Sequence, residues 1–577
     1  MLQNDAAVTA PSAVLLCLIL AACNGAGETA RLETSLCRQD PTRISSVQGD
    51  GAASPLDGST VTVRGVVTRV EPDAGFYLEE GVGPGNASRA IFVVDAPLSR
   101  AVRSAQEVAV SGRVEERGKG RDTLTSLSAV KAAETCAEQS DLPLTAINLP
   151  LDTRRREALE GMRVALGNPL SLSDHYDAYR GEWTLSMDRP LRVPTEDADA
   201  GEPATKMAQQ NRARAIDIVL PEPDRPAIPV GATVSEVLGV LGQHDGRQTL
   251  LLEQLPRVSA TTPTVIDPPA PGRLRTVSLN LLNFFNGDGH GGGFPTVRGA
   301  RSPAEFQAQQ QRTAAGIARL EPHLLAVQEL ENDGFGPRSA ARTLLDLLNG
   351  GDASDWAVID PGEGRIGGDV ITVGLFYRRQ ALEPMGAPAL LRAEPFDGRS
   401  RVPVAQVFRE RASGSTFLVA VNHLKSKGRC PDSGPNADQG DGQGCWNSAR
   451  MEAVQSLLPW LQELAGKAGT RQVLIMGDMN AWRREDPIHA FRKGGYVELV
   501  ETLAGLPQHS FVYFGQRGTL DYAWASAALA RQARHAAIWH INADWPRNMA
   551  LPQPWLRLSD HDPVVVDFDF SQAATSD

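Results

Sequence analysis

The sequence has no run of apolar residues long enough to cross a membrane. Its one candidate near the start runs only from Ala13 to Ala22, and a bilayer core of ~30 Å asks for about 20 such residues in a helix. It also lacks an excess of positive charge. Lys and Arg number 57 against 69 Asp and Glu, a net charge of −12. That removes the electrostatic argument by which a basic chain declares a nucleic-acid partner, though it is compatible with a site lined by carboxylates. Cysteine is scarce, six in 577 residues, with no Cys-x-x-Cys pair, which argues against a structural zinc site. The N-terminal half carries no stripe of basic and aromatic residues, and no short-period repeat runs through the chain.

What is present begins with length. A chain of 577 residues makes two or three domains the natural count. Glycine (54) and proline (39) are frequent, as in β-rich, loop-rich proteins. The apolar run ends in Leu20, Ala21, Ala22 and Cys23. This resembles a bacterial lipobox, so residues 1–23 read as a signal peptide with Cys23 as the lipidated residue. The segment before it departs from the pattern, with Asp5 and no Lys or Arg. Removing the leader takes Cys17, and lipid takes Cys23. Four cysteines remain, an even number that suits an oxidising compartment. Cys430 and Cys445 flank a loop of Pro, Gly, Asp and Asn with almost no apolar side chains, and a bridge would staple it. Cys37 and Cys136 bracket the first domain and read as a second bridge.

The alternation in Val61 to Val70, then Gly75 to Glu79, Ala90 to Val94 and Glu107 to Val114, with turn residues between, reads as short strands. Residues 41–141 are therefore expected to form a small all-β barrel, and the stretch Val47 to Leu56 before Val61 to Thr68 resembles the opening of the OB-like domain that precedes the catalytic domain in bacterial extracellular nucleases. Residues 142–260 read as a second β-rich, OB-like unit, interrupted by a polar insertion from about Pro194 to Arg214. Thr261 to Gly272 contains Pro263, Pro268, Pro269 and Pro271 and reads as a linker. Beyond it, from 273 to 571, strands alternate with amphipathic helices. Ser302 caps a helix to Leu320 with Pro303 in its first turn. A second helix is expected from Arg338 to Leu348 and a third from Ser448 to Leu464, with strands at Arg275 to Asn280, His323 to Gln328, Val370 to Tyr377, Thr416 to Leu424 and Gln472 to Met476.

Polar residues sit directly after these strands again and again: Asn280, Glu329, Asp369, Asn422 with His423, Asp478 with Asn480, Asp521, and Asp560 with His561. One Asp after a strand is usually a turn or a cap; the set is what carries information. In their contexts and order (Leu279 to Asn283, Val327 to Glu331, Val421 to Lys427, Met476 to Asn480, Gly518 to Asp521 and Leu558 to Val564) these residues resemble the endonuclease/exonuclease/phosphatase family, to which deoxyribonuclease I belongs. The loop from Asn422 to Asn447 is similar to the branch of bacterial extracellular nucleases with N-terminal OB-like domains. The resemblance covers 273–571 and implies an α/β four-layer sandwich that hydrolyses phosphodiesters. It implies Glu329, Asn280 and Asp560 as ligands of Mg2+, with Mn2+ or Ca2+ as alternatives. Asp478 and Asn480 then serve the phosphate, as do Asn422 and Lys425, with Lys427 beside them. His423 and His561 act as acid and base, partnered by Asp369 and Asp521 respectively. Tyr522 departs from the branch, where His is common.

The other eight histidines (His175, His244, His290, His323, His489, His509, His535 and His540) read as surface or packing residues. The expected function is an exported, surface-anchored or secreted endonuclease acting on extracellular DNA, with RNA as the other candidate substrate. Membrane contact is expected only through the N-terminal lipid. A phosphodiesterase or phosphatase for a phospholipid or sugar phosphate is the alternative, because one scaffold serves all these substrates, and a non-catalytic adhesin is a third reading. The cysteine pattern gives a first prediction. Alkylating the exported protein before reduction should label neither Cys430 nor Cys445, and intact-mass analysis with and without reductant checks it. Two labelled thiols at these positions would mean that no bridge forms.

Overall fold

A computed structural model of the chain describes residues 35–81, 86–118, 123–222, 227–259, 262–350, 355–396 and 398–571. The leader and Cys23 lie outside the described residues. No helix among the described residues is long and apolar enough to cross a membrane.

The first unit is a closed five-stranded barrel. Around it the order is Thr60–Glu71, Gly75–Glu79, Ala90–Val94, Leu124–Ala137 and Glu107–Arg117. Alternation turns Val63, Val67, Phe76, Leu78, Val93, Val110 and Val114 into its core. Ala90–Val94 and Leu124–Ala137 close the barrel as a parallel pair. A bridge from Cys37 to Cys136 ties its entry to its last strand.

The second unit is β-rich, as its sequence suggests, but it does not repeat the five-stranded barrel. Its strands form one nine-stranded sheet whose edges are Thr145–Ile147 and Arg257–Ser259. Those edge strands do not pair with each other, so no barrel closes. The polar insertion leaves this sheet altogether. Leu191–Arg192 pairs in parallel with Gln516–Gly518 of the C-terminal half, and the short helix Pro194–Asp197 and the helix Glu202–Ala213 follow it. Glu196 is fully buried there. It accepts from the backbone N–H and hydroxyl of Thr519 (3.0 and 3.1 Å) and from the N–H of Arg483 (3.3 Å). Thr195 donates its hydroxyl to Glu485 (2.9 Å), which in turn holds the ammonium of Lys427 at 2.6 Å. The insertion is thus a brace against the C-terminal half.

Residues 262–272 have no regular structure and are mostly exposed, as the linker composition suggests. Two six-stranded sheets follow. One runs Trp356–Val358, Ile371–Arg378, Leu324–Glu331, Leu274–Phe284, Val564–Phe568, Ala533–Ile538. The other runs Leu382–Leu390, Val404–Glu410, Thr416–His423, Val473–Asp478, Asp521–Ser526, Tyr496–Glu498. Side chains of both sheets, among them Ala326, Leu375, Val404, Ala420, Leu474 and Val566, make the shared core. Helices Pro303–Leu320 and Ala340–Asn349 cover the outer face of the first sheet through Phe306, Ile317, Leu320 and Leu344. Helix Asn447–Lys467 covers the second through Val454, Leu457 and Leu461. Ser302 caps its helix by accepting from the N–H of Glu305 at 3.2 Å.

Each sheet is built around one parallel pair joined by a helical crossover: Leu274–Phe284 with Leu324–Glu331, and Thr416–His423 with Val473–Asp478. Parallel strands end at the same side, so Asn280 and Glu329 come together, and so do His423 and Asp478. The hairpin Leu382–Leu390 with Val404–Glu410 has no counterpart in the sequence reading. Pro384 and Pro388 mask it, and they are tolerated because Leu382–Leu390 is an edge strand.

The seam between the barrel and the second unit yields a pH prediction. Glu160 is buried there, accepting from the N–H of Thr125 (3.0 Å) and from Gln48 (3.3 Å), both in the first unit. Burial pushes its carboxyl up to about 8. Across the same seam Glu79 accepts from the N–H of Arg163 at 2.8 Å, and burial pushes it up to about 7. Both groups bind a proton in the folded state that the unfolded chain releases near the ordinary glutamate value. Their contribution is therefore complete below about pH 4.5 and is lost as pH rises through 7 to 8. Denaturant titrations at pH 5 and pH 8.5 should show the stability difference shrinking in Glu160→Gln. An undiminished difference would mean that Glu160 does not carry it.

Candidate active site

The ends of the parallel pairs open into a cleft of about 380 Å³. Glu329, His423, Asp478, Asn480, Asp560 and His561 line it, together with Arg298, Arg401, Trp482, Phe511 and Tyr513. The strands carrying Asn280 and Glu329 are irregular at this level. Register shifts fall between Asn280 and Phe284 and between Val327 and Leu330, and Glu329 has φ 58°. Such a bulge re-aims a side chain that regular alternation would send elsewhere. Glu329 also accepts from the backbone N–H of Asn283 at 3.0 Å.

Asp478 is the centre of the arrangement. Its Oδ2 lies 3.3 Å from Nε2 of His423 and 3.9 Å from Nε2 of His561. Its Oδ1 accepts from the N–H of Asn480, and the Asn480 amide donates to Oδ2 at 3.1 Å and to the carbonyl of Leu424 at 3.2 Å. On its other ring nitrogen His561 meets Asp521 at 2.7 Å, and Ser510 donates to the same carboxylate oxygen at 2.7 Å. The loop bearing Asp560 and His561 is pinned by Asp562, whose Oδ1 accepts from the N–H groups of Ile541, Asn542 and Ala543. Tyr522 is buried and donates toward the carbonyls of Ala481 and Thr519, so it braces two site loops and does not enter the cleft.

Electrostatics separate the two histidines. Burial drives His423 well below the ordinary imidazole value, and the charges of Arg401 and His561 push the same way. Burial also opposes the charge on His561, but Asp521 and Asp478 together outweigh it and hold its imidazolium well above the ordinary value. Burial raises the Asp478 carboxyl to about 7, against the charge of His561. Glu329 is raised by burial and by the like charge of Asp560. Two carboxylates crowded in this way are oxygen donors of the kind a hard divalent cation takes, with Asn280 beside Glu329 and its Oδ1 accepting from the N–H of Leu282 at 3.0 Å. Asp478, Asp521 and His561 form a second group whose ligand atoms lie within 4.8 Å of one another.

Several expectations change. Asp369 does not partner His423: it lies 3.3 Å from Arg401 and 3.9 Å from Arg298, while Nδ1 of His423 is buried without a hydrogen-bond partner. The two arginines had no sequence signal, and they draw the carboxylate away. Asn422 is fully buried, its amide donating to the carbonyl of Ala420 at 3.3 Å. Neighbouring strand residues face opposite sides, so with His423 in the cleft Asn422 points away from it. Lys427 is held by Glu485 and the carbonyl of Gln443. Lys425 is half-buried over the ring of Trp446. The bridge between Cys430 and Cys445 is formed. His509 and His540 stack at 4.0 Å beside Asp544. Arg517 already occupies that carboxylate at 2.8 Å, so the packing reading of these histidines stands.

Residues 277–561 match the Endonuclease/Exonuclease/phosphatase family model. This half of the chain belongs to that family. Its members hydrolyse phosphoric esters and generally use divalent metals, and the two-sheet sandwich is the family's deoxyribonuclease I-like fold. No curated protein matches the sequence. Among solved structures, the human Nocturnin catalytic domain with bound sulfate is 18% identical over 52% of this chain and 93% of its own, with a TM-score of 0.34. A mannosyl-6-phosphatase of Bacteroides thetaiotaomicron is 14% identical over 51% and 98%, with a TM-score of 0.34. TDP2 of D. rerio with a single-strand DNA product is 14% identical over 51% and 98%, with a TM-score of 0.33.

The repulsion between Glu329 and Asp560 makes the site testable without a substrate. In metal-free protein Glu329→Gln should melt no lower than the unaltered chain, because it removes a buried like charge. Added Mg2+ should raise the melting temperature of the unaltered chain more than that of the variant, and phosphodiester hydrolysis by the variant should fall at least about 100-fold. Equal stabilisation of both proteins by the ion would place the ion elsewhere.

Proposed function

We propose that the chain is an exported, divalent-metal-dependent nuclease that cuts phosphodiester bonds of extracellular DNA, within strands rather than from their ends. The observation that carries this reading is the single cleft in which Glu329 and Asp560 face two histidines joined through Asp478. Hydrolysis of a phosphodiester needs a deprotonated water, charge relief at the phosphoryl oxygens and a proton for the departing oxygen. Mg2+ held by Glu329, Asp560 and Asn280 would supply the charge relief. His561, kept cationic by Asp521, contacts a phosphoryl oxygen or delivers the proton. His423 is neutral, with Nε2 3.3 Å from Asp478 and Nδ1 buried without a hydrogen-bond partner. Asn480 gives both amide hydrogens to Asp478 and the carbonyl of Leu424, so it positions Asp478 beside the phosphate. Asp478 touches both histidines, so it links their protonation states.

Nucleic acid is favoured over a lipid or sugar phosphate by the rim. Phe511 packs on His561 at 4.6 Å, and next to it Tyr513 and Phe514 stand 46% and 78% exposed with ring centroids 4.6 Å apart. Exposed rings beside a phosphate site suit stacking with a base. We also read the N-terminal barrel as OB-like, supported by its strand order and its parallel closure. OB folds bind single strands and oligosaccharides. The two disulfides support export, since such bridges persist in oxidising compartments, and Cys23 is the proposed lipid attachment.

Purified full-length protein should nick and linearise plasmid DNA with Mg2+, and chelation should stop it. Sphingomyelin and mannose 6-phosphate in parallel reactions separate the alternatives. Turnover of either one with intact plasmid would overturn the nuclease reading.

A further inference from the structure

Next to the catalytic cleft lies a second depression of about 700 Å³, and it is markedly basic. Arg298, Arg399, Arg401, Lys425 and Arg429 line it, together with Trp446. Arg298 and Arg401 line the cleft as well, so the two spaces are continuous. Its acidic partners are few. Asp369 pairs with both Arg401 and Arg298, and Glu452 lies 3.5 Å from Arg399. Five cations therefore meet two carboxylates, on a chain whose net charge is −12. This concentration is local and runs against the overall charge.

The trench is also built, not a chance meeting of surface side chains. Arg401 is buried, with its guanidinium fixed to the carbonyl of Leu424 at 2.9 Å. Its Nε faces Oδ2 of Asp369 at 3.3 Å. Lys425 is held over the Trp446 ring at 4.8 Å. Burial and the charge of Arg401 lower its ammonium to about 8, against the charge of Asp369. The indole of Trp446 donates to the carbonyls of Gly428 and Arg429, and the disulfide between Cys430 and Cys445 closes the same loop. That loop is thereby held as one wall.

We propose that this trench binds a second phosphate of the substrate strand, one or two nucleotides from the bond that is cut. The proposal rests on the nuclease reading and narrows it, because a lipid or sugar ester with one phosphate leaves the trench empty. Arginine is suited to this role because its planar donors match phosphate oxygens. Such contacts position a strand without reading its sequence. Arg298 and Arg401 line both spaces, whereas Trp482, Phe511 and Tyr513 line the cleft and not the trench, so the basic and the aromatic contacts open to a strand are separate.

The test uses the full chain with Arg399→Ala and Arg429→Ala combined, both in exposed or half-exposed positions. Steady-state rates are measured on a 12-nucleotide single strand and on bis(p-nitrophenyl) phosphate, which carries one phosphate. The ratio of the two kcat/KM values should drop at least about tenfold, and the dependence of log(kcat/KM) for the oligonucleotide on log salt should become shallower by about one unit or more. Arg399→Lys with Arg429→Lys should recover part of the ratio. A ratio within twofold of the unaltered protein, or equal losses on both substrates, would overturn the trench while leaving the nuclease reading intact. An unaltered protein that cleaves the small diester but not the oligonucleotide would overturn both.

Discussion

The site depends on carboxylates gathered where water is scarce. Glu329, Asp478 and Asp560 line one cleft, Asp521 joins them through His561, and Glu329 and Asp478 are raised by their burial. Negative charges so placed repel one another unless positive charge is supplied from fixed positions. His561 supplies it to Asp521 and Asp478, Arg401 lies among the charges acting on Glu329 and Asp478, and a cation suits the remaining gap between Glu329 and Asp560. The surrounding elements fix these groups in place. The bulged strand ends aim Glu329, the triple amide contact on Asp562 sets the His561 loop, and Tyr522 ties together the loops that carry Asn480 and Asp521. The histidines differ because one ring has a carboxylate on each nitrogen and the other has a carboxylate on one side and a buried, unpartnered nitrogen on the other.

Much of this was legible in the chain. Strands of the C-terminal half are short apolar runs with polar residues at their ends, and helix Pro303–Leu320 begins where Ser302 and Pro303 say it should. His423 and Asp478 end their strands and Asn480 follows one, as the sequence suggests, whereas Asn280 and Glu329 lie inside longer strands, Asp521 opens one, and Asp560 and His561 precede Val564–Phe568. Pairings between distant residues were harder. Asp369 belongs with Arg401 and Arg298, and no local pattern marks an arginine that follows Ser400 as a site residue. Phe511 and Trp482 look like ordinary core residues until the fold sets them beside His561 and Tyr513. The hairpin from Leu382 to Glu410 was hidden because prolines in a strand normally argue against it.

The second unit shows the same limit at the scale of a domain. Its strands were readable one by one, but whether a set of strands closes into a barrel or stays open depends on which edges meet, and that information is not local. The insertion from Pro194 to Arg214 reads as a polar interruption, yet its acceptors and donors are Arg483, Glu485 and Thr519, in the distant C-terminal half. Gly515, at the aromatic hairpin, has φ 70° and lies so close to Asp174 that a side chain there would clash, while Ser173 donates to its carbonyl at 2.6 Å. The second unit thus shapes both the rim of the cleft and the floor beneath Lys427.

The buried contact of Glu196 has a consequence for how the chain divides. The proline-rich segment at 261–272 looks like the natural place to separate a catalytic module from its companions. A cut there would remove the carboxylate that satisfies Thr519 and Arg483, and would leave Glu485 without the hydroxyl of Thr195. It would also bare the apolar contact of Val193 with Trp482 and Leu520. The covalent border and the physical border are therefore different lines. This chain has made part of the neighbouring unit an internal component of its catalytic half, so inheritance of the two units should proceed as one piece and not by exchange of modules.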